Sequence, residues 1–449
     1  MISQPSVESG ESCSDVESII DSTPVSRGQW IIIVLCALVS MLDGFDVQVI
    51  AFAAPEIRQD WGIPVAALGP IFSAGLFGGM VGGFVLGPLS DSFGPKRILL
   101  LSTALFGATT FATAFADDLL TLGALRAIAG LGLGAAVPAI ITTLSAYTPR
   151  RIRATLVTVA FCTQLLGALL GSVVSAWLMG QYGWQSIFYL GGLLPLLILP
   201  FLFWYVPEPL PFLVARDRHD KVARVLKQIG KGDHGSRFLT SERNEQPGGT
   251  AVALFKSGRL PSTMLILATA LLGGMFFYFI LNWLPTILRE SGHSLSMAVY
   301  GSTALNLGGL MGSLVFARLI DKYGPYSVMA VGYATGAIIT ALLAYMTTTP
   351  SLMLMICAAG FFGLGAHYCI PAAVVLLYPV RLRGAGIGFV LGFARIGAII
   401  GPLVGSYIIL VGGSSRDLFN FAAVTAFGAA GAVFLARYVQ RAEARRMRS

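Results

Sequence analysis

Long runs of apolar residues separated by short polar breaks recur along the chain from Trp30 to Arg437. Each run reaches the ~20 residues that a helix needs to cross a lipid bilayer. Twelve spans are predicted, at 30–53, 66–89, 98–116, 119–145, 154–180, 186–206, 261–287, 297–319, 327–346, 352–377, 384–411 and 417–437. The fold class expected from this pattern is an all-α integral membrane protein of twelve transmembrane helices in two six-helix halves. The one long polar interruption, 207–260, separates six spans from six. The predicted organisation is therefore a disordered cytoplasmic tail (1–27), an N-terminal six-helix bundle (28–206), a cytoplasmic central loop (207–260), a C-terminal six-helix bundle (261–437) and a cytoplasmic tail (438–449).

An internal repeat supports the division. Shifting the sequence by 230 positions lays Asp91, Gly94 and Pro95 on Asp321, Gly324 and Pro325. The same shift lays Pro149, Arg151, Arg153, Gly167 and Gly171 on Pro379, Arg381, Arg383, Gly397 and Gly401. Six helices repeated in one orientation relate the halves by an axis along the membrane normal, an arrangement of alternating-access carriers with a site between halves. Glycines at every fourth position on helix 2 (Gly75, Gly79, Gly83, Gly87) and helix 11 (Gly384, Gly388, Gly392) mark close helix contacts, either static or on a surface where the halves rock.

Composition agrees: 55% of the 449 residues are hydrophobic and only 12% charged, against ~25% charged in soluble domains. The net charge of +8 suggests nucleic acid only until the basic residues are placed. With both termini and every even-numbered connection inside, only Arg58, Arg289 and Arg416 fall outside, and Arg126 and Arg395 fall within helices, out of 30 Lys and Arg. This satisfies the positive-inside rule. The Ser- and acid-rich start lacks the basic region of a cleaved signal peptide. The five cysteines show no metal or redox spacing, and no disulfide is expected. No phosphate loop, HExxH or Ser/His/Asp group suggests an enzyme.

Ionisable groups inside a membrane are costly, at least ~2.5 kcal/mol each, and so point to function. The predicted spans hold Asp43, Asp46, Arg126, Arg395 and His367. Asp43 and Asp46, three apart, share a helix face. Two carboxylates in a low dielectric resist ionising together, which suits one of them to carry a proton; alternatively, each is permanently paired with an arginine. Arg126, above Gly130 and Gly134, and Arg395, in GFARIGAIIG, can each anchor a substrate carboxylate through the planar guanidinium or hold an Asp until it is protonated. Under the 230 shift they meet Ile356 and Leu165, so the repeat supplies the scaffold and these departures mark candidate function. His367 can hydrogen-bond a ring hydroxyl or carboxylate, or be a satisfied structural histidine. On helix 7, Phe276, Phe277, Tyr278, Asn282 and Trp283 offer stacking and polar contacts to an aromatic solute, or serve as interfacial anchors. Asp91, in the turn GPLSDSFGPKR, reads as a mechanical lock against a helix N-terminus.

The chain resembles the major facilitator superfamily, and within it the aromatic acid:proton symporters typified by 4-hydroxybenzoate and protocatechuate transporters. The resemblance covers nearly the whole chain and rests on SDVESIIDSTPVSRGQW before helix 1, DGFD at 43–46, GPLSDSFGPKR at 87–97, RAIAGLGLGAAVP at 126–138, VPEPLPFLVARD at 206–217, NWLPTIL at 282–288 and YPVRLRGAGIGFVLGFARIGAIIGP at 378–402. It implies uptake of an aromatic carboxylate coupled to protons, with Asp43 and Asp46 needed for transport. It also implies that Asp91 and Asp321 serve the conformational cycle, and gives roles to Arg126, Arg383 and Arg395. Ser92 and Pro95 replace basic residues usual in the loop motif, and His367 stands where relatives often carry Gln.

The expected protein is a bacterial inner-membrane symporter, sufficient as a monomer, with protons as coupling ion and no cofactor, metal or nucleic-acid partner. Asp43 and Asp46 are assigned to proton coupling; Arg126, Arg395, His367, Asn282 and Trp283 to substrate; Asp91, Asp321 and Arg383 to gating. The alternatives are a proton-antiport exporter of aromatic compounds or drugs and, in another class, a passive channel or sensor.

Overall fold

The structure, a computed structural model, describes residues 13–231, 237–239, 260–346, 348–378 and 380–446. Twelve long helical rods dominate it. In chain order they are α1 (Arg27–Trp61), α2 (Leu68–Phe93), α3 (Pro95–Thr113), α4 (Leu119–Tyr147), α5 (Arg150–Tyr182), α6 (Gln185–Tyr205), α7 (Leu260–Glu290), α8 (Leu295–Tyr323), α9 (Pro325–Leu343), α10 (Thr349–Leu377), α11 (Val380–Leu410) and α12 (Ser415–Arg446). Eleven are long and apolar enough to cross a membrane. The exception, α3, carries Lys96, Arg97 and a series of Ser and Thr. Thr103, Thr109 and Thr113 return their hydroxyls to carbonyls four residues earlier in the helix. A hydroxyl satisfied within its own helix travels into lipid at little cost.

The repeat is visible in the turns. Both α2 and α8 end at a glycine of positive φ, Gly94 (101°) and Gly324 (77°), and a proline at the first helical position starts α3 and α9. Glycine takes the left-handed conformation without a Cβ clash, and proline needs no N–H at the first helical position. The rods run past the predicted spans; α1 begins at a capping box of Ser26 and Gln29 and continues to Gly62. The span predicted as one helix at 352–377 is broken: a π-helical turn at Gly360–Leu364 and a turn at Tyr368 and Cys369 interrupt α10 on either side of His367.

The start of the chain departs from expectation. Residues 13–26, predicted to be disordered, are ordered. Cys13–Asp15 pairs in parallel with Arg237–Leu239, and Asp15 caps the short helix Val16–Ser22. Val16, Ile19 and Ile20 form an apolar stripe at helical spacing and join a core with Leu210, Val222, Leu226 and Phe238. Glu17 and Asp21 reach Arg150 at the head of α5. Three apolar residues in register outweigh the polar composition around them. The segment after α6 contains two further short helices, Leu210–Val214 and His219–Gln228.

Candidate functional site

A cavity lies between the halves, lined from one side by α1, α2, α4 and α5 and from the other by Tyr278 of α7 and Arg395 and Ala398 of α11. It measures about 740 Å³, open solvent included. Asp43, Asp46, Arg126 and Arg395 all line it. Ile50, Ile71, Phe72, Leu76 and Leu133 supply apolar walls and Gln164 a further polar group.

Glycines set the walls. A Cβ on Gly44 would overlap the Gln164 carbonyl, and one on Gly167 the Met41 carbonyl, so α1 and α5 touch backbone to backbone beside Asp43. In the same way Gly130 and Gly134 of α4 rest on the backbone of Gly75 and Gly79. This face of the α2 stripe is therefore static packing within one half. Its other edge meets the opposite half: Arg395 donates to the Gly79 carbonyl, and a Cβ on Gly83 would sit 3.1 Å from the Arg395 Nη1. On α11, Gly388 faces open space and Gly392 faces Phe84 of α2.

The two aspartates have different surroundings. Asp46 forms a buried ion pair with Arg126 at 3.3 Å, with 1% and 3% of their side chains exposed. Thr110 donates to Asp46, and Arg126 Nη2 donates to the hydroxyls of Thr110 (2.8 Å) and Thr113 (3.0 Å). The Arg126 guanidinium also lies 5.4 Å from the centre of the Phe188 ring. Its Nε is buried without a partner. All of these groups belong to the N-terminal half. Asp43 instead accepts from the amide of Gln164 at 2.6 Å and has no guanidinium partner among the described residues. Arg395, from the other half, has no carboxylate partner among the described residues.

Three residues assigned to substrate lie elsewhere. The Asn282 amide donates to the Tyr278 carbonyl of its own helix at 2.7 Å, with the side chain buried. Trp283 is fully buried; its Nε1 donates to the Pro402 carbonyl at 3.2 Å and its ring packs edge-on against Phe72. It fastens α7 to α11 below the cavity floor. His367 pairs with the Tyr333 hydroxyl through Nδ1 at 3.1 Å and stacks on Phe277, ring centres 4.6 Å apart. It stands behind the cavity wall, one residue of α7 removed from Tyr278. Tyr278, Gln164, Thr110 and Thr113 belong to the site, although only Tyr278 was singled out in the sequence and only as one of a group.

Of the gating residues, the side chains of Asp91 and Arg383 lie outside the described residues. Asp321 is exposed and makes no hydrogen bond or ion pair among the described residues. Among the described residues the acid at the α2–α3 turn is Glu208, to which the sequence reading gave no role. It accepts from the Lys96 backbone N–H at 3.2 Å and lies 4.0 Å from Arg97, and a Cβ on Gly94 would press on its carboxylate. Burial pushes its carboxyl above the ordinary value, against the lowering effect of the Lys96 N–H and of Arg97.

Polar contacts across the halves run from the cavity to the face opposite the termini. Gln48 and Asn306 exchange two amide hydrogen bonds (3.1 and 2.9 Å), Ser172 meets Thr303 (2.6 Å), and Ser73 and Gly69 meet the Ile399 carbonyl and Ser406 hydroxyl of α11 (2.7 and 3.0 Å). At the rim Arg58 pairs with Glu290 at 2.5 Å, and Arg289 reaches Glu56 at 3.6 Å and Gln59 at 3.3 Å. Between the cavity and the terminus-bearing face, the described residues form no such bond. The contacts across the halves close the chamber at the face opposite the termini.

Two repeated six-helix halves around a charged chamber are the architecture of a membrane carrier. The chain belongs to the Major Facilitator Superfamily, whose family model it matches over residues 36–369 and again over 300–449. It is 37% identical over 422 residues to the gallate transporter of Pseudomonas putida, covering 93% of this chain and 94% of that one. It is 33% identical over 437 residues to the 4-hydroxybenzoate transporter PcaK of Acinetobacter baylyi, covering 96% of each. Among solved structures, the xylose transporter XylE from E. coli in a partially occluded inward open conformation matches with a TM-score of 0.70 at 17% identity, over 90% of this chain and 97% of that one. That likeness shows the shared fold. The chain is a multi-pass membrane transporter, not an enzyme.

Proposed function

We propose that this carrier imports a small aromatic carboxylate, of the hydroxybenzoate or gallate class, in symport with protons across a bacterial inner membrane. The observation that carries the reading is Arg395, a cation with no carboxylate partner among the described residues that reaches from one half to a backbone carbonyl of the other inside the chamber holding Asp43. The match to gallate and 4-hydroxybenzoate transporters over nearly the full chain supports the substrate class.

The four charges divide into two tasks. Asp46 and Arg126, paired and braced by Thr110 and Thr113, keep their half of the chamber electrically neutral and fixed. Asp43 carries the proton: its partner Gln164 offers an N–H to the carboxylate and, with the amide turned over, a carbonyl to the carboxylic acid. Once Asp43 is neutral, the charge facing Arg395 is gone and the substrate carboxylate takes its place on the guanidinium fork. The ring then lies against Ile71, Phe72 and Leu133, with Tyr278 and Gln164 in reach of ring hydroxyls.

Energetics favour coupling. Moving an anion into an inside-negative cell costs ~2.3 kcal/mol per 100 mV, and one accompanying proton cancels that electrical cost. The excess of basic residues in the connections supports a cytoplasmic terminus-bearing face, which makes the sealed face external. The chamber lies within one chain, which supports the monomer as the working unit.

The test is radiolabelled uptake by cells across benzoate, hydroxybenzoates, gallate and phenylpropionates, with and without an uncoupler. Saturable accumulation of a hydroxylated benzoate that collapses on uncoupling is expected. Accumulation that survives uncoupling, or none with any aromatic acid, overturns the reading.

A further inference from the structure

A second polar cavity lies away from the transport chamber, beside the end of α6. It measures about 980 Å³, open solvent included, and its lining brings together Lys96, Arg97, Arg216, Arg218, Lys221 and Arg224 around Glu208, the one carboxylate among its described lining residues. Six cations facing one acid leave a strong positive excess. Arg97, Arg216, Arg218, Lys221 and Arg224 are exposed, so the excess is presented outward.

The groove is built. The helix His219–Gln228 is held against α6 by Gln228, whose amide donates to the Trp204 carbonyl at 3.3 Å, while Val222 and Leu226 are buried away from the groove and Val225 joins its lining. Arg216 stacks 4.5 Å over the Phe212 ring and donates to the Ser92 carbonyl, fixing the far wall. Lys96 donates to the Phe203 carbonyl at 2.6 Å and lies over the Phe203 ring. Asp217 and Asp220 sit on the same segment but do not line the groove.

The surface beside it is apolar. Phe93, in the groove lining, and Phe201, Phe203 and Trp204, at the end of α6, are 55%, 52%, 59% and 66% exposed, an apolar surface of the kind that settles at a membrane interface. A cationic groove beside exposed aromatic residues matches a molecule with a phosphate at one end and acyl chains at the other. We infer that this groove binds the headgroup of an anionic phospholipid, with Arg218, Lys221 and Arg224 as its phosphate-facing cations and the end of α6 as the bed for its chains. Basic residues at a membrane surface attract anionic headgroups. A bound lipid would tie the segment after α6 to the α2–α3 turn through Lys96 and Arg97.

The test uses the purified full-length protein, equilibrated with an equimolar mixture of phosphatidylglycerol and phosphatidylcholine and examined by native mass spectrometry. The protein is expected to retain phosphatidylglycerol about tenfold over phosphatidylcholine. The triple variant Arg218→Gln/Lys221→Gln/Arg224→Gln should lose that preference while staying monodisperse with unchanged melting. The charge-conserving Arg218→Lys/Arg224→Lys should keep it. Millimolar inorganic phosphate should not displace the lipid. Equal retention by the protein and the triple variant, no preference for phosphatidylglycerol, or displacement by free phosphate alone overturns the assignment.

Discussion

Asp43 and Asp46 stand one helical turn apart, yet one meets an amide and the other a guanidinium. The difference predicts different losses. Asp43→Asn preserves the contact to Gln164 and should leave substrate counterflow near its starting rate, while uncoupler-sensitive accumulation disappears; accumulation that remains intact removes Asp43 from proton transfer. Asp46→Asn leaves Arg126 as an unpaired buried charge, a change that costs ~3–5 kcal/mol. It should lower the melting temperature and the amount of folded protein, and the double variant Asp46→Asn/Arg126→Gln should recover stability without recovering transport. Arg395→Lys replaces a planar fork by a point charge. A charge-assisted bond is worth ~1.5–3 kcal/mol, so KM should rise at least about tenfold with the protein still folded. The four charges were legible in the sequence because each is conspicuous in an apolar span. Gln164, Thr110 and Thr113 were not, because an uncharged polar side chain in a membrane helix carries no comparable penalty to mark it. Asn282 and Trp283 misled for a related reason: composition places them on α7 but does not say which face of α7 meets the chamber, and both turn toward packing.

At the scale of elements, close approach matters more than apolarity. The glycine contacts between α2 and α4 leave no room for a larger side chain, so Gly130→Val should cost ~1–3 kcal/mol of stability through overpacking and disturb the wall that holds Arg126. Expression and melting of Gly130→Val beside Gly123→Val, which meets nothing within 4 Å, check this directly. The α2–α3 turn depends on Glu208, which caps the start of α3. Its carboxyl titrates above the ordinary 4.5 because burial favours the neutral acid. The native state therefore holds this proton more tightly than the unfolded chain, and the stability it contributes is lost as pH rises from 4.5 through the raised value. Glu208→Gln should flatten that part of the melting-temperature profile against pH; an unchanged slope shows that the carboxyl is not its source. The stripes at Gly75 and Gly388 were readable as every-fourth-residue patterns, but whether each faces its own half or the other is a matter of tertiary packing. The break in α10 was hidden because π-helical and α-helical turns draw on the same apolar residues. The order of residues 16–20 was hidden because their apolar stripe is a single helical turn long.

For the whole molecule, the cycle requires that the cross-half seam open while the opposite face closes. The seam has two layers: a buried reciprocal amide pair, Gln48 with Asn306, and a rim of crossed ion pairs, Arg58 with Glu290 and Arg289 with Glu56. Both layers join α1 of one half to α7 or α8 of the other, and the bonds of Gly69 and Ser73 to α11 and of Ser172 to Thr303 run across the same seam, so rotating the halves breaks them together. The rim pairs are about one-third exposed, and such pairs are worth ~0.2–1 kcal/mol each. A barrier of that size biases the equilibrium without locking it, as a carrier that must turn over requires. Reversing one charge in Glu290→Arg converts attraction into repulsion with Arg58 and Arg289 and should shift the population toward the conformation open at the sealed face. In a background with the native cysteines replaced, Ile50→Cys on the chamber wall reports this opening through its labelling by a membrane-impermeant maleimide. Glu290→Arg should speed labelling from the sealed face about fivefold, high salt should narrow the difference, and the exchanged pair Arg58→Glu/Glu290→Arg should bring the rate back toward its starting value. Labelling that is the same in all three proteins would make the rim ion pairs bystanders and leave the Gln48–Asn306 amide layer as the element that holds the chamber shut.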